Sequence, residues 1–304
     1  MPDYGPSVRP SLSIVVVAYN MRRELPRTLV SLSPAYQRGV EEDAYEVVVV
    51  DNGSSERLDP EEIRAIAPNI RYHYVSEASP SPAAAVNLGV ALAAAEHVGV
   101  ILDGARMVTP GVVLHALSAL RLYERPIVTT LGWHLGPDVQ SRSSAKGYDQ
   151  RSEDTLLQSI AWPTDGYRLF EIAALAPANS GGWFSPLSES PCLFLPRRLF
   201  DEMGGYEVRF DLPRGGFLNL DTYARVCDLP RTELIVLMGE GSFHQFHRPL
   251  SHNLMLEMTE FRDQYERIRG RPFHKPAKTP TYLGSVPTPA LGFVESSARL
   301  APGR

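Results

Sequence analysis

The chain has 304 residues, 43% of them hydrophobic and 21% charged, with a net charge of −5. That length and balance describe a globular protein with a substantial core, and the mild acidity gives no reason to expect a nucleic-acid partner. Two cysteines, Cys192 and Cys227, are too few for a disulfide framework or a cysteine zinc site, so reduced thiols and a cytoplasmic location are expected.

The first element covers 12–20, Leu-Ser-Ile-Val-Val-Val-Ala-Tyr-Asn, and its unbroken apolar run predicts a strand buried on both faces. Leu25, Leu29 and Leu32 predict a helix over 21–33. Residues 46–55, Glu-Val-Val-Val-Val-Asp-Asn-Gly-Ser-Ser, then read as a second strand closing in a polar turn. In open sheets of this kind ligands bind beyond the carboxyl ends of the strands. Tyr19-Asn20 and 51–54 are therefore expected at one crevice. A short helix over 61–67, a strand over 70–75 and an alanine-rich helix over 79–95 follow, the last opened by serine and proline. A strand over 98–102 ends at Asp103-Gly104-Ala105-Arg106, and a helix over 109–123 leads to a strand over 126–130. This repetition predicts an α/β domain with a largely parallel sheet.

Residues 131–190 read as loops with one helix over 154–162. Beyond them come a strand over 192–195 and a helix over 197–203 ended by Gly204-Gly205. A helix over 218–226, strands over 234–238 and 242–246, and a helix over 254–268 complete the series. From Arg271 proline and polar residues dominate, predicting a loosely ordered tail. The expected organisation is one domain over 11–250, a C-terminal helix over 251–270 and a tail over 271–304. Residues 1–10 lack an apolar core of signal-peptide length, and no run reaches the roughly 18 apolar residues of a membrane span. Peripheral membrane contact stays open.

No Gly-x-Gly-x-x-Gly follows the first strand, and neither a phosphate loop nor a Gly-x-Ser-x-Gly elbow occurs. What is present resembles the family 2 glycosyltransferases, nucleotide-sugar enzymes of the GT-A fold. Val-Val-Val-Ala-Tyr-Asn looks like their opening motif, and Val-Val-Asp-Asn-Gly-Ser like the second-strand motif whose aspartate holds the donor's base or ribose. Asn87-Leu88-Gly89 followed by Ile101-Leu102-Asp103 looks like the approach to their Asp-x-Asp. Gly204-Gly205-Tyr206 and Asn219-Leu220-Asp221 look like the segments that carry the catalytic carboxylate. The resemblance covers 11–247. It implies a GT-A-like, Rossmann-type, mainly parallel sheet flanked by helices in a single domain, and an inverting glycosyltransferase that moves a sugar from a nucleotide-sugar donor to an acceptor hydroxyl. The alternatives are a catalytically silent nucleotide- or sugar-binding subunit and a nucleotidyltransferase.

Ala18, Tyr19, Asn20, Asp51, Asn87, Asp103 and Arg106 are then the candidate donor-binding residues. Asp51 is either a turn residue bonding its own backbone before Gly53 or a carboxylate accepting hydrogen bonds from a nucleoside. The family resemblance also implies a divalent cation, Mn or Mg, on the diphosphate. Here Ala105 replaces the second aspartate of Asp-x-Asp, so either Asp103 ligates with help from histidine or Arg106 supplies part of the positive charge. Of His244 and His247, one is expected at the metal. Two histidines three apart face opposite sides of a strand, and both reach one ion only if the strand ends between them. Asp221 is the candidate general base, or else half of a helical ion pair with Arg225. Trp183 and Glu189 would line an acceptor pocket, or a packed loop.

Overall fold

The computed structural model describes residues 9–247 and 254–301. β1 (Leu12–Ala18) and β2 (Tyr45–Asp51) are buried at every position and pair in parallel, Val15 opposite Val48. Their side chains divide between two apolar layers: Ile14, Val16, Val47 and Val49 on one face, Val15, Val17, Val48 and Val50 on the other. With both faces covered, the strands have no polar side to show, which explains the unbroken apolar runs. α1 (Leu25–Ser31) joins the first layer through Leu25 and Leu29. α2 (Pro60–Arg64) starts at a capping box between Asp59 and Glu62 and leads to the outermost strand, β3 (Ile70–Tyr74). α3 (Ala83–Leu92) lies on the opposite face. A Cβ on its Gly89 would come within 2.3 Å of Val15 Cγ1, so the close helix–sheet approach requires glycine there.

β4 (His97–Ile101) pairs with β1 in parallel. After the Asp103 turn come β5 (Arg106–Val108), α4 (Val112–Leu120) and β6 (Pro126–Leu135), the last five residues longer at its carboxyl end than the sequence suggests. The irregular stretch contains α5 (Gln140–Ala145), α6 (Gln150–Ile160) and β7 (Ala173–Leu175). β8 (Leu193–Pro196), α7 (Arg197–Glu202), α8 (Leu218–Asp228), β9 (Glu233–His244), α9 (Leu254–Arg269), β10 (Thr281–Gly284) and α10 (Leu291–Leu300) follow. The sheet order is β10-β9-β6-β8-β4-β1-β2-β3, with β5 on β9 and β7 on β6. β8 runs antiparallel to both its neighbours, and the other pairings along this order are parallel, so the sheet is mainly parallel as expected, with one reversed strand inside it. The whole is one α/β domain with a curled central sheet flanked by helices.

Two expectations are corrected. The separate strands over 234–238 and 242–246 are the single β9, which carries Gly239 at φ +75° and slips register against β6 between Thr129 and Leu131. The segment after Gly270 is also more ordered than its composition suggests. β10 extends the ladder of β9, Tyr282 Oη donates to the Trp183 carbonyl at 3.0 Å, and Trp183 N donates to Ser297 Oγ at 3.0 Å. A strand edge recruits backbone by its unpaired N–H and C=O groups, which needs no apolar pattern in the added strand. The expected boundary at 250/251, and the extreme ends of the chain, fall outside the described residues. No helix among the described residues is long and apolar enough to cross a membrane.

Candidate donor and metal site

The parallel strands β1 and β2 deliver their polar ends to one place. Asn52 N donates to the Ala18 carbonyl at 2.8 Å, and Asn20 N donates to Ser54 Oγ at 2.7 Å. Asn20, at φ +54°, accepts from Ser55 N and Ser55 Oγ through its side-chain oxygen. Asparagine is one of the few side chains that tolerates this left-handed backbone. Gly53 has φ +83°, and a Cβ on it would lie 2.6 Å from the Ala78 Cβ, so the turn depends on glycine. Tyr19 stands 46% exposed beside this turn.

Asp51 is only 2% exposed. Its Oδ1 accepts from Ser54 N at 2.8 Å and its Oδ2 from the Tyr72 hydroxyl at 2.6 Å. It therefore shapes the turn, and in doing so aims a tyrosine at the same crevice. Beside it lies a pocket of ≈ 820 Å³ lined by Arg22, Arg57, Tyr72 and Tyr74 among others. Asn87 is committed elsewhere. Its amide accepts from Tyr206 N and donates to the Tyr206 carbonyl, both at 2.9 Å, and so clasps α3 to the Gly-Gly-Tyr loop.

The second cluster forms where β4 and β9 end. Asp103 follows β4 and folds back in a short turn, its Oδ1 accepting from Ala105 N at 2.9 Å. β5 then pairs antiparallel with β9, setting Arg106 opposite His244. His244 is the last residue of β9, and beyond it the chain leaves the ladder, so His247 returns to the same side. Asp103 Oδ2 lies 2.9 Å from His244 Nε2 and 3.7 Å from His247 Nε2, and the two imidazole nitrogens are 3.3 Å apart. Ligands about 2.1 Å from one ion are separated by about 3.0–3.4 Å in octahedral or tetrahedral geometry. One carboxylate and two imidazoles at these separations fit a divalent cation. Ala105, by contrast, is fully buried in the layer with Ile101 and Val108. Its side-chain position faces the core rather than this cluster.

Protonation supports the fit. Burial favours the uncharged carboxyl of Asp103, but the two imidazoles overcome that and hold it well below the usual carboxylate range. Burial lowers His244, and Arg106 and His247 add to the effect against the pull of Asp103. His134, opposite His244 on β6, is lowered to about 3 by burial and the nearby positive charge, while its Nδ1 accepts from Gln140 N at 2.8 Å. At neutral pH Asp103 is thus an anionic carboxylate, and His134 beside it is a neutral imidazole. The Nη1 of Arg106 is buried with no hydrogen-bond partner among the described residues.

His134 and Glu153 carried no sequence signal. Glu153 is fully buried under the histidine loop, where it accepts from Phe246 N at 2.6 Å and meets Arg23 at 3.4 Å. Burial pushes it up to about 7. Neither residue belongs to a recognisable spacing; only the tertiary contact identifies them.

Asp221 lies apart from this corner in its contacts, and of the two roles the sequence left open its partners are those of the ion pair. It is 1% exposed at the first turn of α8. Arg225 Nε donates to Oδ2 at 2.8 Å, while Arg269, in the last turn of α9, donates to Oδ1 at 2.6 Å and Oδ2 at 2.8 Å. Arg225 also donates to the Met203 and Gly205 carbonyls. The carboxylate therefore ties α8, α9 and the Gly-Gly-Tyr loop together, with guanidinium N–H groups on both of its oxygens. Trp183 follows the packed alternative: fully buried, it donates from Nε1 to the Leu237 carbonyl and packs on Trp133 and Phe170.

The family model for glycosyl transferase family 2 matches residues 13–171, more than half of the chain. In solved structures, the chain is similar to S. aureus TarS at 16% identity and a TM-score of 0.50, over 84% of this chain and 40% of that one. It is similar to the 1–349 fragment of TarS at 13% identity and 0.50, over 86% of this chain and 74% of that one. It also resembles the mannosyltransferase PcManGT from Pyrobaculum calidifontis at 16% identity and 0.49, over 97% of this chain and 71% of that one. No curated protein matches it in sequence. The chain thus spans 40% of the TarS chain it matches first, and the likeness to the two TarS structures speaks for the fold. Together with the matched segment, which carries both the Asp51 and the Asp103 turns, it leaves one statement of kinship: the chain belongs to glycosyl transferase family 2.

Proposed function

We propose that this chain is an inverting glycosyltransferase that moves a sugar from a nucleotide-sugar donor to an acceptor hydroxyl. The observation that carries this reading is the meeting of Asp103, His244 and His247 at the carboxyl edge of the sheet, on the edge that also bears the Asn20–Ser54 turn. The nucleoside would lie along Ala18, Tyr19 and Asn20, with Asp51 holding the turn and the Tyr72 hydroxyl in place. Asp103, His244 and His247 would hold a divalent cation, Mn or Mg, which when bound supplies positive charge to the departing diphosphate. Arg106, opposite His244 and with its Nη1 buried, would add fixed charge at the same corner. His134 keeps that charge from being shared with another cation, since burial leaves it neutral.

Calorimetric titration with UDP, GDP and TDP, each with and without manganese, tests the reading. At least one nucleoside diphosphate should bind, and more tightly with the metal. Binding of none of the three would overturn the donor site. A second reading, a silent nucleotide- or sugar-binding subunit, draws on the capture of Asp221 by two arginines. It predicts donor binding without donor consumption.

A further inference from the structure

With Asp221 tied to Arg225 and Arg269, the transfer lacks a carboxylate free to take the acceptor's proton. Another carboxylate stands at the right edge. β8 pairs antiparallel with β4, Val100 opposite Leu193. Three residues beyond Val100 is Asp103, and three residues before Leu193 is Ser190, so the ladder's direction carries 189–190 toward the Asp103 end of β4. On the other flank Thr129 of β6 also faces Leu193, and its hydroxyl donates to Ser190 Oγ at 2.6 Å. Ser190 is thus pinned between the outgoing end of β4, which leads to Asp103, and the middle of β6, whose later half carries His134.

Glu189, the preceding residue, is half-buried. Its Oε2 accepts from Asn219 Nδ2 at 2.9 Å, and the same amide nitrogen donates to the Ser190 carbonyl at 3.1 Å. No other hydrogen bond reaches this carboxylate among the described residues, so Oε1 is left for an incoming group. The contrast with Asp221 is geometric. One carboxylate is held on one oxygen by a neutral amide, while the other is filled on both oxygens by guanidinium N–H groups.

We propose that Glu189 is the general base of the sugar transfer inferred above, on which reading the assignment rests, and that Asn219 is its positioning residue. The acceptor oxygen bonds to the anomeric carbon as its proton passes to Glu189 Oε1. The bond from that carbon to the diphosphate oxygen breaks, and its electron pair leaves with the nucleoside diphosphate. The amide of Asn219 fixes the direction of Oε1 and keeps Glu189 beside the strand ends.

Water serves as acceptor for the test, with release of nucleoside diphosphate measured from UDP-glucose, UDP-GlcNAc, GDP-mannose and TDP-glucose in the presence of manganese. Glu189→Gln should lower kcat about 10²- to 10⁴-fold, the range of a lost general base. It should abolish the acid limb of the pH profile and leave nucleoside diphosphate affinity within threefold. Glu189→Asp should recover part of the rate, and Asn219→Ala should lower kcat about tenfold while keeping the limb. Release by Glu189→Gln at the wild-type rate, or loss of its nucleotide affinity, overturns the base while sparing the transfer. Failure of the wild-type chain to consume any of the four donors overturns the transfer itself, and the base with it.

Discussion

Asp103 and Asp221 each sit between two nitrogenous bases, imidazoles in one case and guanidiniums in the other. Guanidinium is always charged and only donates, so Arg225 and Arg269 neutralise Asp221 and fill its oxygens. Imidazole is neutral when its pKa is pushed down, and a neutral ring offers a lone pair. His244 is pushed down in this way, and its ring nitrogen lies with those of His247 and the carboxylate of Asp103 close enough to share one ion. The same acidic side chain is thereby a structural clamp in one region and a cation-seeking group in the other. The choice of basic neighbour decides which.

Removing the clamp should produce the largest effect. Asp221→Ala leaves two guanidiniums facing a buried site without a counter-charge. Breaking a buried pair from one side costs about 3–5 kcal/mol. Urea denaturation should report a loss of that order, with nucleoside diphosphate affinity changed less than threefold. A loss below about 1 kcal/mol would place Asp221 outside the packing of α8 and α9 and reopen it as a catalytic group.

Glu153 sharpens the contrast as a third carboxylate, buried beneath the loop between His244 and His247. Burial raises it from 4.5 to about 7 in the folded chain. The folded state therefore holds a proton that the unfolded state releases between those pH values. The associated stability is fully present below pH 4.5 and falls as pH rises through about 7, by up to about 3 kcal/mol at 1.36 kcal/mol per unit. Urea midpoints at pH 5 and pH 8 should show this slope in the wild type and a flatter one in Glu153→Gln. Equal slopes would mean that Arg23 and Phe246 N compensate the buried charge fully.

The fold was legible where chemistry is local. The apolar runs of β1 and β2, the prolines that open α3, and the polar turns at Asn20 and Asp51 announce themselves over a few residues. Asp103 was legible for the same reason, as a carboxylate at a strand end. What could not be read depends on residues far apart in the chain. Arg269 reaches Asp221 from 48 positions away, and Asn219 reaches Glu189 from 30 positions. β10 joins the sheet by backbone pairing, which leaves little mark in its side chains. Trp183 looked like a sugar platform because composition cannot tell an aromatic in a loop from one that has folded into the core.

The last test separates the two candidate roles of the segment 103–106. Asp103→Asn keeps the oxygen that accepts from Ala105 N, so the turn survives while the charge is lost. Manganese affinity should then fall by more than the 10–100-fold typical of losing an outer-sphere partner, because a direct ligand is altered. Ala105→Asp gives the complementary arm. Were the alanine merely a missing ligand, restoring aspartate would tighten manganese binding. But Ala105 is fully buried against Ile101 and Val108, so the new carboxylate would enter an apolar layer and lower stability without gaining the metal. Tighter manganese binding in that variant would mean that the segment can turn its next residue outward, and that the His244–His247 pair substitutes for an aspartate this chain could still use.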